Sequence, residues 1–288
     1  MINKDTKLEK KRISILGCGW LGFPLAQRLL ADDISSIIKG STTSADKIEQ
    51  FRYAGIEPFL FNLNPELAGE NSQITSFFDT DVLVIAIPPR LSKNEGDFHP
   101  KQIKSVIQQI ERSPIKEIVF VSSTSIYSDL NRIVVENDVT NPEESPSPAL
   151  VEAENLLLNL RGDIKVSILR HGGLLGYNRI PGKYVRGQKD MTTASIPVNY
   201  IHRDDAAGII SAILKKGVVN ETFNIVAPMH PTRREIYEKS CAQFNWESPT
   251  FSEPVIRPDF KIISAEKLNK FYTYTFKYPD PLEFYYEE

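Results

Sequence analysis

The chain has 288 residues, 41% hydrophobic and 25% charged, and its 34 basic and 37 acidic residues leave a formal net charge of -3. That composition suits one large globular α/β domain, with or without a small appendage, and the absence of a basic stripe excludes an electrostatic nucleic-acid binder. Two cysteines, Cys18 and Cys241, are too few for a disulfide framework and no Cys/His spacing suggests zinc, so no metal is expected and a reducing cytoplasm is the simplest location.

Residues 1–11 are polar and read as a frayed terminus. Lys7, Lys10, Lys11 and Arg12 precede an apolar stretch, but its spaced glycines, Pro24, Gln27 and Arg28 argue against a signal peptide. No apolar run approaches the roughly 18 residues of a membrane helix, so no membrane association is expected. Arg12 to Leu16 reads as a strand, and Leu21, Leu25 and Leu29 as one face of a helix with Pro24 in its first turn or so. Ile34 to Ile38 is a second strand, Ala45 to Ala54 a second helix ending at Gly55, and Pro58 to Leu63 a third strand. Asp81 to Ile87, stopped by Pro88-Pro89, is apolar enough for a parallel strand buried on both faces. Then come a helix over Lys101 to Ile110, a strand over Glu117 to Val121, a helix over Val151 to Leu160 and a strand over Val166 to Leu169.

This alternation predicts a doubly wound parallel sheet of Rossmann type over residues 1–172. Residues 173–288 form a mixed region: a long Gly-, Arg- and Lys-rich loop over 176–200, a helix over Asp204 to Leu214, a strand over Thr222 to Val226 that returns to the sheet, and a helix over Thr232 to Phe244. The aromatic- and proline-rich tail from Trp246 reads as a small C-terminal cap on the substrate side.

The segment Gly17-Cys18-Gly19-Trp20-Leu21-Gly22 lies between the first strand and the first helix, which is the context a Gly-x-Gly-x-x-Gly pattern needs. Gly17 allows the tight turn, Gly19 lets a pyrophosphate approach the backbone, Gly22 lets the helix pack on the strand, and the helix N-terminus offers N–H groups to phosphate. The expected cofactor is NAD or NADP; a glycine-rich turn without a ligand is the plain alternative. At the end of the second strand, Lys39-Gly40-Ser41-Thr42-Thr43 contains no acid to accept ribose hydroxyls. That favours NADP, with Ser41, Thr42, Thr43 and either Lys39 or Lys47 near the 2′-phosphate, beside the alternative of an ordinary solvated loop. Ile87 and Pro88, closing the fourth strand, complete the expected cofactor contacts.

Further along, Ser122-Ser123-Thr124-Ser125-Ile126-Tyr127, Arg170-His171-Gly172-Gly173 with Leu175-Gly176, Tyr200-Ile201-His202-Arg203-Asp204-Asp205-Ala206-Ala207 and Phe223-Asn224-Ile225 resemble, in order and spacing, the signatures of the extended short-chain dehydrogenase/reductase superfamily, in its NAD(P)-dependent epimerase/dehydratase branch. The resemblance runs from about residue 12 to about 230. The glycine turn with Pro24, the run Ala227-Pro228-Met229-His230-Pro231 and Tyr278-Pro279-Asp280-Pro281-Leu282 narrow it to the YeeZ-like subgroup. It implies a helical Tyr-x-x-x-Lys pair in which lysine depresses the tyrosine pKa while hydride moves, a Ser matched here by Ser123 with Thr124 adjacent, and dimerisation through two sheet helices, one of them starting near Val151.

With Glu136 and Pro142 as anchors and Ala153-Glu154-Asn155-Leu156-Leu157 as the following helix, the tyrosine and lysine positions fall on Pro146 and Leu150. Neither can move a proton. Tyr127 is the nearest phenol, with packing as its other reading; His171, His202 and His230 fall at loop ends facing the cleft, with structural roles as the other reading. The expected catalytic set is therefore Ser123, Thr124, Tyr127 and His202. Arg179, Lys183, Arg186, Arg233 and Arg234 suggest a small anionic substrate such as a nucleotide sugar or a carboxylate, or else a solvated basic loop. Two functions follow: an oxidoreductase or epimerase with a relocated acid/base, or a dinucleotide-binding sensor without turnover.

Overall fold

A computed structural model describes residues 10–89 and 96–288; the expected frayed segment up to residue 9, with Lys7, lies outside the described residues. Seven strands build the central sheet: β1 (Lys11–Leu16), β2 (Ser35–Thr42), β3 (Glu57–Leu60), β4 (Val82–Ile85), β5 (Glu117–Ser123), β6 (Lys165–His171) and β7 (Thr222–Ile225). Every pairing is parallel, in the order β7-β6-β5-β4-β1-β2-β3. The chain therefore starts at the centre, winds out to one edge and then returns to build the other. Such a reversal leaves a crevice at the carboxyl ends of β1 and β4.

Strand β4 shows why the sheet is buried on both faces. Val82 and Val84 pack with α1 (Gly22–Ala31), α2 (Ile48–Tyr53), α7 (Arg203–Lys216) and α9 (Glu266–Phe271) through Leu25, Leu29, Phe51, Ile210 and Leu268. Leu83 and Ile85 face α3 (Asn71–Phe78), α4 (Phe98–Ile110) and α5 (Pro148–Leu158) through Phe77, Ile103, Val106 and Val151. Each such side chain removed from water stabilises the sheet by about 1.5–3 kcal/mol before entropy, and the two-residue period of a strand sends alternate residues into the two layers. The two remaining helices, α6 (Pro181–Val185) and α8 (Arg233–Gln243), pack on each other through Val185, Ile236 and Tyr237 beside the C-terminal tail. The tail adds an aromatic cluster of Phe284 and Tyr286 with Trp246 and Tyr278. Among the described residues no helix is long and apolar enough to cross a membrane.

Several boundaries differ from those predicted. Strand β2 runs on through Lys39, Gly40, Ser41 and Thr42 because β3 pairs with these residues, and pairing outweighs the low strand propensity of Gly and Ser. The expected third strand stops at Leu60, and Asn62–Leu63 turns into a short antiparallel pair with Leu67–Ala68. Helix α3, absent from the sequence reading, is polar but for Ile74, Phe77 and Phe78, all buried against the sheet. The stretch 176–200 is not all loop, since it contains α6 and backbone bridges from Gly176, Tyr177, Met191 and Pro197.

Candidate dinucleotide site

At the crevice lies a cavity of about 1130 Å³, lined at one end by Gly17–Leu21, Ser41–Thr43, Lys47, Ile87 and Pro88 and at the other by Ser122, Ser123, Leu150 and His171–Leu174. The first end is made mostly of backbone. Strand β1 is followed by Gly17 at φ +88°, where an added Cβ would come within 2.8 Å of Ala86 O. The turn is tied to β2 by Gly17 N–H to Ser41 Oγ (2.9 Å) and Cys18 N–H to Ser41 O (3.0 Å). A Cβ on Gly22 would meet Gly17 O at 2.6 Å, so Gly17 and Gly22 are required by the protein's own packing. Gly19 is different. A Cβ there would meet nothing within 4 Å.

The N–H groups of Trp20, Leu21 and Gly22, at the start of α1, have no backbone acceptor among the described residues, as the first turn of a helix leaves them. Cys18 is buried against Gly40, and burial pushes its thiol up to about 12, so it is inert at neutral pH. Exposed Thr43 and Lys47 also face this end. The expectation for Lys39 is corrected: its ammonium is buried and points away from the cavity, donating to Ser76 O (2.5 Å) and Asp79 O (2.8 Å). There it satisfies the open carbonyls at the end of α3 and complements that helix dipole.

The second end is made of side chains, most of them committed elsewhere. Ser123 Oγ accepts the Ser125 N–H (3.1 Å) at the start of a 3-10 turn, which leaves its O–H free to donate into the cavity. The Ser122 hydroxyl donates to Glu154. Leu150, at the position where the resemblance implies lysine, is buried and apolar against the cavity, whereas Pro146 is exposed. No Tyr-x-x-x-Lys occurs anywhere in the sequence.

The other expected catalytic residues do not line the cavity. Thr124 is buried in the 3-10 turn behind Ser123. Tyr127 donates to Asn224 Oδ1 (2.8 Å) and accepts from Arg170 Nη1 (2.8 Å), and burial pushes its phenol up to about 12. Arg170 in turn holds Glu154 and the carbonyls of Glu136 and Val139 (2.8 and 3.0 Å), forming a closed buried network. His202 is fully buried; its Nδ1 accepts the Asp204 N–H (3.2 Å) and caps α7, while Nε2 faces Tyr285 O (3.3 Å). Burial holds its pKa below the ordinary histidine value. His230 bonds Val198 O (3.0 Å) through Nδ1. Of the three cleft histidines, only His171 lines the cavity; its Nδ1 faces Leu169 O (3.0 Å), and burial pushes its pKa down to about 4.

Of the five cations expected on the substrate side, Arg179 alone lines the cavity; Arg186 stacks on Trp246 and Arg234 on Phe251. Asn62, Leu63, Asn64, Phe98 and Gln102 also line it and escaped the sequence reading. The strand-end rule would have marked the first three had the third strand been ended at Leu60.

No protein-family model matches the chain. Protein YeeZ of Escherichia coli (strain K12) is 34% identical over 272 residues, covering 94% of this chain and 98% of that protein. Among solved structures, a UDP-glucose 4-epimerase from Stenotrophomonas maltophila with bound NAD and formylated UDP-arabinopyranose aligns with a TM-score of 0.75 at 12% identity over 95% of both chains. The UDP-Glc/GlcNAc 4-epimerase of Campylobacter jejuni aligns with 0.74 at 15% over 94% of this chain and 95% of that one. A functionally unknown protein of Silicibacter pomeroyi aligns with 0.73 at 17% over 95% and 96%.

Proposed function

This chain belongs to the YeeZ family, on the fold of the NAD(P)-dependent epimerase/dehydratase branch of the short-chain dehydrogenases/reductases, and from that premise we propose that its cavity binds NAD or NADP by the diphosphate. The observation that carries the reading is Gly19: a Cβ there would meet nothing within 4 Å, so the fold gives no internal reason for glycine, and this open space adjoins residues 20–22 in the chain, whose N–H groups have no backbone acceptor among the described residues. A diphosphate needs that space, those donors and the positive end of α1. Gly17, Cys18, Gly19, Trp20, Leu21 and Gly22 would cradle it, with Ile87 and Pro88 beside the nucleotide. The absence of an acid after β2, with Thr43 and exposed Lys47 on the cavity, supports NADP; Ser41 and Thr42 serve chiefly to shape the turn, through bonds to Gly17 N and Ser44 N. A bound dinucleotide would supply hydride chemistry on a small, anionic substrate, which Ser123 would orient by donating its hydroxyl hydrogen. Tyr127 and His202 take positioning roles in this reading, because neither reaches the cavity.

A second reading, a dinucleotide-binding regulator without turnover, is favoured by Leu150. An apolar side chain stands where the family mechanism needs a cation, and no phenol or imidazole with an ordinary pKa lines that end among the described residues. Titration calorimetry with the four nicotinamide nucleotides tests the shared premise, and absence of heat from all four with a folded sample would remove it. Loss of deuterium from 4-deuterated NADPH in the presence of keto acids or nucleotide sugars separates enzyme from regulator.

A further inference from the structure

Above the glycine turn sits a pair of arginines, neither of them in an ion pair with a carboxylate among the described residues. Arg179 places its guanidinium 3.9 Å from the centroid of the Trp20 ring, and Arg203 lies 5.1 Å from the same ring while stacking at 3.5 Å on Tyr177. The Arg179 side chain makes no hydrogen bond or ion pair among the described residues, and the charged neighbour that acts on it is the like-charged Arg203. Asp204, next to Arg203 in α7, is already held by Lys277 (2.8 Å) and the Tyr177 hydroxyl (2.9 Å). A half-buried cation beside a like charge is costly unless an anion joins them.

The protein has built a rigid mount for this cation. Gly176 and Arg179 exchange backbone hydrogen bonds (3.2 and 3.1 Å), with Gly176 at φ +113° and Tyr177 at φ +51°. The C-terminal tail fixes the turn through Tyr177 N–H to Tyr285 O (2.9 Å), and His202 fills the space beneath Gly176, where a Cβ would fall 2.4 Å from Nε2. Trp20 is tied to the same turn by its indole N–H, which donates to Asn178 Oδ1 (2.9 Å). Trp20 is thus a shared wall, contributing a free backbone N–H on one side and a stacking surface for arginine on the other.

Resting on the dinucleotide reading above, we infer that Arg179 is the outer jaw of the diphosphate site: it covers the anion that the amides of residues 20–22 grip from below. A planar guanidinium fork matches two phosphate oxygens, and stacking on an indole leaves its N–H edge free to donate. The inference assigns to the 176–179 turn a ligand contact, where the histidine below it serves only as support.

The test titrates wild type, Arg179→Gln and Arg179→Lys with NADPH, NADH, ADP-ribose and adenosine at low and high salt. Arg179→Gln should weaken all three diphosphate ligands roughly 10- to 30-fold, as expected for one charge-assisted phosphate contact. Adenosine should bind all three proteins alike, which also reports an intact fold. Arg179→Lys, which keeps the charge but not the planar stack, should fall between, and the salt dependence of wild type should exceed that of the glutamine variant. Unchanged affinities in both variants overturn the inference alone. A loss confined to NADPH assigns Arg179 to the 2′-phosphate, and one that spares ADP-ribose assigns it to the nicotinamide end; either overturns it. If wild type takes none of the diphosphate ligands, the dinucleotide reading itself falls.

Discussion

The two ends of the cavity are built by different means. At the glycine turn, contacts for a ligand would come from backbone: three N–H groups without a backbone acceptor among the described residues, a glycine without a neighbour, and a helix end. At the Ser123 end they would have to come from side chains, yet Glu154, Arg170, Tyr127 and Asn224 turn inward to satisfy one another, and Leu150 offers only hydrocarbon. A backbone-built site persists as long as the fold does, whereas a site built from side chains can be emptied by two substitutions that leave the fold intact. Binding and chemistry are therefore separable in this architecture.

The sharpest break of the contrast comes at the inward-turned network. Removing one partner of the buried Glu154–Arg170 pair leaves an uncompensated charge, so Glu154→Ala should lower stability in urea unfolding by about 3–5 kcal/mol, while Glu154→Gln should cost less. A smaller loss than about 1 kcal/mol would mean the network is not structural. Next is His171. Its folded pKa of about 4 lies below the ordinary 6.5, so the folded state resists protonation; its contribution is fully present above pH 6.5 and is lost as pH falls towards 4, up to about 3 kcal/mol. His171→Phe should flatten that part of the stability-versus-pH curve, and an unaltered slope would place the acid sensitivity elsewhere.

Third, the glycines should divide. Gly22→Ala meets Gly17 O at 2.6 Å and should destabilise by about 1–3 kcal/mol, while Gly19→Val should unfold at nearly the wild-type midpoint and lose dinucleotide binding. A Gly19→Val protein that still binds would sink the central reading. Smallest is the cofactor preference: Lys47→Ala should weaken NADPH by about 1 kcal/mol, near fivefold, and leave NADH unchanged. Equal effects on both would remove the case for a 2′-phosphate contact.

The alternation of strands and helices, the glycine turn and the missing Tyr-x-x-x-Lys pair were legible in the sequence, because each depends on residue type over a short stretch: apolar runs for buried strands, a period of three or four for helices, and no Cβ where backbones approach. That the sheet is parallel and doubly wound followed from the same pattern, whereas the order of its strands came from the structure. Not legible was which way a polar side chain points. Lys39 and Lys47 stand equally near the expected phosphate in sequence, yet strand pairing buries Lys39 beneath α3 while Lys47 faces the cavity. His171 closes β6 and His202 stands just before α7, yet only His171 lines the cavity, because His202 is buried among Tyr177, Tyr278 and Phe284. Helix α3 and the Arg179–Trp20 stack are likewise tertiary outcomes, the first because a mostly polar segment is helical only when three apolar side chains find the sheet, the second because its partners lie 159 residues apart and no local rule relates them. Sequence fixes what a short stretch can become; the side-chain directions that make a site are decided by what the rest of the chain leaves uncovered.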